Sequence, residues 1–295
     1  MRFLNTSTSK AKAPFLILLI IFLWITNLHS QDTKSELSYL FFGHCYGLNN
    51  KLDERIYQLD LSPYDGIWLG GDVSSEASLT PEISMHIDSV FDFSNPLNFW
   101  ILGNHDTRNG NWRWLEAARH RETFFTNYYQ GVTEIVLNTN LLPNNCYDLN
   151  KQYQMLQNVC DTIEDSYALI LLHHHGIWYD IPGVPSANSF GHGVLPYWNA
   201  NCESAESTFK NAIYPMLVNV KNRGIKVVCV MGDIGDGGRH KIEAMSPDSI
   251  YFLGAGLRLH DNNNSNDSAL IFQHNTIEKT LLWDFVRFED LLNKN

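Results

Sequence analysis

The chain has 295 residues, of which 44% are hydrophobic and 18% charged, and its formal net charge at pH 7 is −11. This is the composition of an ordinary globular protein, and the length suits one large α/β domain or two small ones. The acidic balance excludes an extended basic surface for nucleic acid or anionic lipid. An acidic protein that acts on phosphate needs local positive charge, which a bound metal ion can supply.

The N-terminal segment predicts a secretory signal peptide at residues 1–30. Three basic residues precede an apolar stretch at residues 14–28, and the small residue Ser30 is a candidate cleavage point. Cleavage would change the net charge from −11 to −14, because the segment holds three positive charges and no negative one. Residues 31–295 would then form a single secreted or periplasmic domain without membrane insertion. The alternative is an uncleaved segment that anchors the N-terminus in a membrane.

Apolar patterns predict a βαβαβ order in the first third of the chain. Strands are predicted at residues 37–44, 65–72 and 98–106, and helices at 51–62 and 82–93. This order implies parallel strands joined by right-handed crossovers.

The order becomes mixed beyond residue 130. The pattern predicts strands at 133–140, 167–175, 225–233 and 249–256, helices at 153–163 and 206–222, and a closing hairpin at 269–275 and 279–288. Residues 176–207 are long, irregular and rich in Gly, Pro, Asn and aromatic residues. Loops of this length inside a domain are usually functional.

The chain has five cysteines: Cys45, Cys146, Cys160, Cys202 and Cys229. Export permits disulfides, and Cys146 and Cys160, which bracket a loop-to-helix segment, could form one. Cys229 lies in an apolar strand and is predicted to be a small buried hydrophobic residue. The odd count excludes full pairing, and the spacing fits no zinc-ribbon pattern.

Five predicted strands end in polar clusters. These clusters are His44, Asp72, Asn104-His105-Asp106, His173-His174-His175 and Asp233. Because ligands bind at the carboxyl ends of strands in open α/β sheets, we expect the clusters to converge on one site. Asp, Asn and His side chains suit Mn, Fe, Zn or similar ions, and a carboxylate such as Asp72 can bridge two of them. An ion of this kind activates water and neutralises phosphate charge, and a histidine that is not a ligand can protonate the leaving group.

At these clusters the sequence resembles the calcineurin-like metallophosphoesterases, over roughly residues 37–257. The resemblance implies an α/β fold, a four-layer α-β-β-α sandwich of two mixed β-sheets. "GGD" resembles the motif whose aspartate, here Asp72, bridges the metals. The most specific match is "GNHD" at residues 103–106. It implies that Asn104 is a metal ligand, that His105 contacts the scissile phosphate or the leaving group, and that Asp106 orients His105.

"LLHHHGIW" resembles the family's segment of a strand followed by His-His-Pro. Alignment of Gly176 with that proline implies that His174 is the ligand, whereas alignment on distance from the strand implies His173. We favour His174 and keep His173 as a further candidate.

Two motifs depart from the family pattern. The first, Asp-x-His, is here His44-Cys45-Tyr46, and the last, Gly-His-x-His, is here residues 232–235, "GDIG". By resemblance, the lost ligands serve the first metal. The second metal keeps Asp72, Asn104 and His174 and gains Asp233. At the first metal, His44 can still bind, Tyr46 can bind as a phenolate to trivalent iron, and Asp236 can replace the lost histidine.

These residues predict a metal-dependent phosphoester hydrolase with one or two ions. Its substrate would be a small or glycan-linked phosphate ester, with Arg108 and His192 as candidate contacts; exposed side chains without function are the alternative for both. The rival hypothesis is an impaired site that binds a phosphorylated or glycan ligand without cleaving it, and a third is another metal-dependent chemistry. The loop aromatics Trp178, Tyr179 and Trp198 either stack on a sugar or base or hold the loop in place.

Overall fold

Two β-sheets form the centre of the computed structural model, which describes residues 34–47, 49–186, 189, 195, 197–234, 241–257 and 267–293. The predicted signal peptide, His192, Gly235 and Asp236 lie outside these residues. The described residues from Glu36 onward belong to one compact unit. Within the described part of the chain, no helix combines the length and the apolar character needed to cross a membrane.

The first sheet has five strands in the order β11-β10-β1-β2-β3. They are β1 (Glu36–Phe42), β2 (Gly66–Leu69), β3 (Phe99–Trp100), β10 (Ser268–Asn275) and β11 (Thr280–Arg287). Strands β1, β2 and β3 run parallel, as the βαβαβ pattern predicted. Strand β10 pairs antiparallel with β1 and with β11, so this sheet is mixed.

The second sheet has six strands in the order β4-β5-β6-β7-β9-β8. They are β4 (Phe125–Tyr129), β5 (Val132–Val136), β6 (Ala168–His173), β7 (Lys226–Met231), β8 (Lys241–Met245) and β9 (Tyr251–Ala255). The four strands from β5 to β9 in this order are parallel, and the edge strands β4 and β8 are antiparallel to their neighbours.

The described helices flank the sheets. They are α1 (Pro81–Phe91), α2 (Asn104–Thr107), α3 (Trp112–Arg119), α4 (Cys146–Thr162), α5 (Tyr214–Asn222) and α6 (Phe288–Leu292). A π-helical turn, Phe209–Ile213, leads into α5. The predicted helix at residues 51–62 is reduced to a 3₁₀ helix, Glu54–Gln58, whose first turn is capped by the Asp53 carboxylate.

Three apolar clusters confirm the four-layer sandwich that the resemblance implied. One joins the facing sides of the two sheets and includes Tyr39 and Phe41 of β1 together with Ile170 and Leu172 of β6. A second packs α1 and α3 on the outer face of the first sheet. The third packs α4 and α5 on the outer face of the second sheet. Strands buried on both faces explain the continuous apolar runs in the sequence.

The predicted pairing of Cys146 with Cys160 is wrong, because the disulfide joins Cys146 to Cys202. Cys146 and Cys160 both lie in the 17-residue helix α4, 14 positions apart. At 1.5 Å of rise per residue they are separated by about 20 Å, far beyond the reach of a disulfide. Cys229 is fully buried in the core, as predicted.

The two tryptophans of the predicted loop insertion hold it against the core. Trp178 and Trp198 are buried, and the indole N–H of Trp198 donates a hydrogen bond to the carbonyl oxygen of Leu141. Of the three aromatics considered for stacking on a ligand, Tyr179 alone is exposed.

Candidate metal centre

Glycines let the two sheets touch where the polar clusters lie. A Cβ atom at Gly232 would stand 1.8 Å from the carbonyl oxygen of Gly70, and one at Gly43 would stand 2.0 Å from the carbonyl oxygen of Gly232. These residues follow β7, β2 and β1, so strands of both sheets meet here backbone to backbone. The close approach brings Asp233 of one sheet to Asp72 and His44 of the other.

Asp72 lies at the centre of the site. It has φ of 54°, follows Gly71 with φ of 94°, and is 1% exposed. Its Oδ1 accepts a hydrogen bond from the backbone N–H of His105 at 2.9 Å. Oδ1 also lies 3.4 Å from Nε2 of His174, and Oδ2 lies 4.0 Å from Nε2 of His44. The two oxygens thus face different imidazoles, the geometry of a carboxylate that can bridge two ions.

The structure places the Asp106 carboxylate against the turn that carries Asp72, and its orienting role towards His105 stays a prediction. The buried Asp106 carboxylate accepts five hydrogen bonds. The donors are the backbone N–H groups of Asp72, Val73, Ser74 and Gly103 and the indole N–H of Trp100. Asp106 therefore holds the turn that presents Asp72, and this structural role occupies both of its oxygens.

His174 presents one ring nitrogen to the acidic side chains. Its Nδ1 lies 2.8 Å from the Gly70 carbonyl oxygen, which can only accept, so Nδ1 carries the hydrogen. Its Nε2 is buried without a hydrogen-bond partner, 3.4 Å from Asp72 and 3.6 Å from Oδ2 of Asp233. A backbone carbonyl that fixes the tautomer in this way is the usual second partner of a metal-binding histidine.

His173 faces the other side of β6. It is fully buried, its ring lies edge-on to Trp178 at 5.3 Å, and its Nδ1 contacts the carbonyl oxygen of His175 at 2.8 Å. Because side chains alternate along a strand, the two neighbouring histidines point to opposite faces. The structure therefore brings His174 to the acidic side chains and places His173 in the outer core.

Two overlapping groups of buried residues offer ligand atoms within 4.8 Å of one another. One is His44, Asp72 and Asp233, and the other is His174, His175 and Asp233. His175 is a residue that the sequence analysis did not select, although it belongs to the triple histidine. Its Nδ1 lies 2.7 Å from the Thr139 hydroxyl, a contact that only the tertiary structure reveals. The predicted ligand Asn104 begins α2, and its side chain is exposed.

His105 lies against Tyr46 and Arg108. The Tyr46 and His105 rings stack with centroids 4.6 Å apart and planes 24° apart, and the Tyr46 hydroxyl is 3.3 Å from Nε2 of His105. On its other side Tyr46 meets the His44 ring at 4.9 Å. The Arg108 guanidinium lies 2.6 Å from Nδ1 of His105. The predicted substrate contact Arg108 thus binds His105 within the protein.

The titratable groups perturb one another strongly. Burial raises the pKa of Asp72, but His174, His44 and His105 outweigh it and hold that pKa well below the usual range. Burial lowers the pKa of His174, but Asp72 and Asp233 outweigh it and raise that pKa to about 10. Burial and the Asp72 charge raise the pKa of Asp106 to about 6, against the donors that favour its ionised form. Positive charge between the Asp72 and Asp233 carboxylates is therefore strongly favoured. In the metal-free protein the second proton on His174 supplies that charge.

The chain matches no known family model and no curated protein. It does resemble the solved structure of a dimetal phosphatase from Danio rerio, with a TM-score of 0.51 and 8% sequence identity, over 84% of this chain and 98% of that chain. A second solved structure covers the same shares at 7% identity and a TM-score of 0.36, too low to support an inference.

Two mixed β-sheets with flanking helices therefore form an α/β fold similar to that of this dimetal phosphatase. The buried His and Asp cluster at the strand ends suggests divalent metal binding.

Proposed function

We propose that this protein is a secreted, metal-dependent phosphoester hydrolase that acts on a small or glycan-linked phosphate ester. One observation carries the proposal. The Nδ1 of His174 donates to the Gly70 carbonyl, and its buried Nε2 lies 3.4 Å and 3.6 Å from the buried carboxylates of Asp72 and Asp233. Nitrogen and oxygen donors in this arrangement are the ligands that Mn, Fe and Zn take in proteins.

The ligand assignment follows from which atoms face each other. Asp72 would bridge two positions. His174 and Asp233, with His175 or Asn104, would hold one ion. His44 would serve the other position, beside Asp72. When bound, such an ion supplies an activated water and neutralises charge on the phosphate.

The chain's own residues prepare this site. The Gly70 carbonyl fixes the His174 tautomer, and Asp106 holds the turn that carries Asp72. His105 is 23% exposed and lies 3.9 Å from Oδ2 of Asp72, so its ring can reach a ligand at the open side of the cluster. His105 is the residue proposed to contact the scissile phosphate or the leaving group.

Metal content and turnover test the proposal together. Purified protein would be analysed for bound metals and assayed with an aryl phosphomonoester and a diaryl phosphodiester under added Mn, Zn or Fe. We expect bound metal and turnover of at least one ester, both lost in Asp72→Asn and retained in Asp161→Asn, an exposed control. Protein without bound metal and without turnover would refute the proposal.

A catalytically impaired binding domain is the second candidate. Tyr46 stands where the family motif has a histidine, and its hydroxyl contacts Nε2 of His105. If this replacement abolishes the first metal position, the protein would bind inorganic phosphate in a metal-dependent manner but hydrolyse no ester. Calorimetric binding of phosphate without turnover would select this candidate.

Two further measurements test the remaining parts of the proposal. Protein loaded with trivalent iron would show a visible charge-transfer band if Tyr46 is a ligand, and Tyr46→Phe would remove it. N-terminal sequencing of the exported protein would show cleavage near Ser30, whereas retention of the full chain in the membrane fraction would indicate an anchor.

A further inference from the structure

A cleft of about 340 Å³ lies on the outer side of the first sheet. It is lined by residues of the 3₁₀ helix, of the turn at residues 74–76 and of the first half of α1. None of the described residues that line it is a candidate metal ligand. Small-molecule sites in proteins have volumes of roughly 300–1,000 Å³, so the cleft is large enough for a small organic ligand.

The floor of the cleft is apolar. Helix α1 contributes Ile83 and Ile87, which lie one helical turn apart on the same face, and Leu52 joins them from the segment before the 3₁₀ helix. All three pack in the apolar cluster on the outer face of the first sheet. Leu52 and Ile87 are buried, whereas Ile83 is only partly buried and remains open to solvent. This surface favours a ligand with an apolar body, because covering it removes apolar area from water.

Two aromatic side chains form a fixed wall of the cleft. The Tyr57 hydroxyl lies 2.9 Å from Nε2 of His86, and the two ring centroids are 6.0 Å apart. This contact joins the 3₁₀ helix to α1, so the Tyr57 ring is held in place before any ligand binds. Tyr57 is nevertheless 51% exposed and has an open aromatic surface. A tyrosine ring attracts a cation that lies over its face.

The charged side chains of the cleft are two carboxylates, Glu76 and Glu82, and one ammonium group, Lys51. Across the part of the chain that the structure describes, no ion pair engages any of the three. The carboxylates outnumber the ammonium group, and the whole chain carries a formal net charge of −11. Charge complementarity therefore favours a cationic ligand over an anionic one.

We propose that this cleft is a binding site for a small organic amine. The apolar body of the amine covers the floor, and its ammonium group lies against Tyr57 and the carboxylates of Glu76 and Glu82. Lys51 competes with the ligand for the same carboxylates. Binding needs both parts of the ligand, because an ammonium group alone leaves the floor open and an apolar body alone leaves the carboxylates unpaired. The site needs neither a metal ion nor the proposed hydrolase activity.

The first test compares 2-phenylethylamine with three related probes by NMR titration of metal-free protein with labelled isoleucine and leucine methyl groups. 2-Phenylethanol lacks the charge, 3-phenylpropanoate reverses it, and ethylamine lacks the ring. We expect 2-phenylethylamine to cause saturable shifts of the Leu52, Ile83 and Ile87 methyl signals. Each of the other probes should bind at least about 3-fold more weakly, the effect of losing exposed ion pairs or the apolar contact. Salt at about 1 M should weaken binding of the amine and not that of the alcohol.

Three results of this titration would overturn the proposal. They are the absence of saturable binding of 2-phenylethylamine, equal or tighter binding of the alcohol or the carboxylate, and shifts confined to methyl groups outside the cleft. Because the measurement uses metal-free protein and no turnover, its outcome is independent of the proposed hydrolase function.

The second test changes the charges of the cleft one at a time. Glu76→Gln and Glu82→Gln should each weaken binding of 2-phenylethylamine by about 2- to 5-fold, the range for an exposed ion pair. Lys51→Met should tighten it, because the competing ammonium group is removed. The exposed control Glu278→Gln makes the same charge change as the first two variants and should leave the affinity unchanged. Weaker binding in Lys51→Met, or wild-type affinity in the variant that lacks both carboxylates, would overturn the assignment of an amine.

A third variant tests the place of binding. Ile83→Trp fills the cleft with a larger side chain and should abolish the shifts caused by 2-phenylethylamine. Ile83 is only partly buried, so the variant should fold, and its unfolding temperature would show it. Wild-type affinity in folded Ile83→Trp would show that the amine binds elsewhere and would overturn the proposal.

Discussion

Replacement of Asp106 by asparagine separates two roles for this residue. Oδ2 accepts from Asp72, Gly103 and the Trp100 indole, and Oδ1 accepts from Val73 and Ser74. The amide nitrogen of asparagine would stand in the place of one oxygen and leave at least two buried N–H groups without an acceptor.

Each buried donor left unsatisfied costs about 1–3 kcal/mol, so Asp106→Asn should lower the free energy of unfolding by about 2–6 kcal/mol. Relief of repulsion with Asp72 offsets part of this. For a domain of this size the loss corresponds to a fall in Tm of about 10 °C. Differential scanning calorimetry of metal-free protein would measure it, with Asp161→Asn as an exposed control that should change stability by less than about 0.5 kcal/mol.

The result that would refute this reasoning is specific. If Asp106→Asn unfolds at the wild-type temperature while kcat/KM falls, Asp106 acts on His105, as the family motif implies, and the structural role is wrong. We expect instead a loss of stability together with weaker metal binding, because the turn that presents Asp72 is loosened.

Three other predictions concern two buried titratable groups and the disulfide. Burial raises the pKa of Glu134 to about 8, with one oxygen held by Asn127 and the other without a hydrogen-bond partner, so its folded pKa exceeds its unfolded value of 4.5. That contribution to stability is complete below pH 4.5 and is lost as pH rises through about 8, by about 5 kcal/mol at most. Glu134→Gln should thus be more stable than wild type at about pH 9 and nearly equal at about pH 4.5; equal stability at both would contradict the burial argument. Binding of the ion that His174 holds should release about one proton at neutral pH, because the pKa of His174 is raised to about 10 and its Nε2 must be deprotonated to bind. Calorimetry in buffers of different ionisation enthalpy measures this release, and His173→Gln should retain it. The Cys146–Cys202 disulfide spans 56 positions, so replacing both cysteines by serine should lower the free energy of unfolding by about 4 kcal/mol. Treatment of the wild-type protein with reductant should cause the same loss of stability. An unchanged Tm in the double variant would contradict this prediction.

The core elements were predictable because their signals are local. β1, β6 and β7 are apolar runs, and the parallel order of β1, β2 and β3 follows from helices between strands. Strand β4 and helix α3 were missed, since β4 is an edge strand of half-buried polar and aromatic residues and α3 has only three buried positions. Strand β8 was missed because it alternates between buried and exposed residues over five positions only.

The site was predictable as a list of residues and much less as a set of contacts. The polar residues at strand ends led directly to Asp72, His174 and Asp233. In the structure the two carboxylates lie 3.4 Å and 3.6 Å from Nε2 of His174. His175 escaped because the run of three histidines ends the strand, where alternation no longer predicts which side a residue faces. Arg108 was assigned to substrate because its partner, three positions earlier, cannot be read from spacing alone.

The sequence by itself determined the core strands, the parallel order of β1, β2 and β3, and the donor types at the strand ends. These depend on hydrophobic periodicity and on residues next to each strand, which are local properties of the chain. The tertiary structure alone decided which atom meets which: Asp106 with the Asp72 turn, Arg108 with His105, and Cys146 with Cys202. Hydrogen-bond partners and disulfides depend on distances of a few ångströms between segments, and those distances are set only when both sheets pack together.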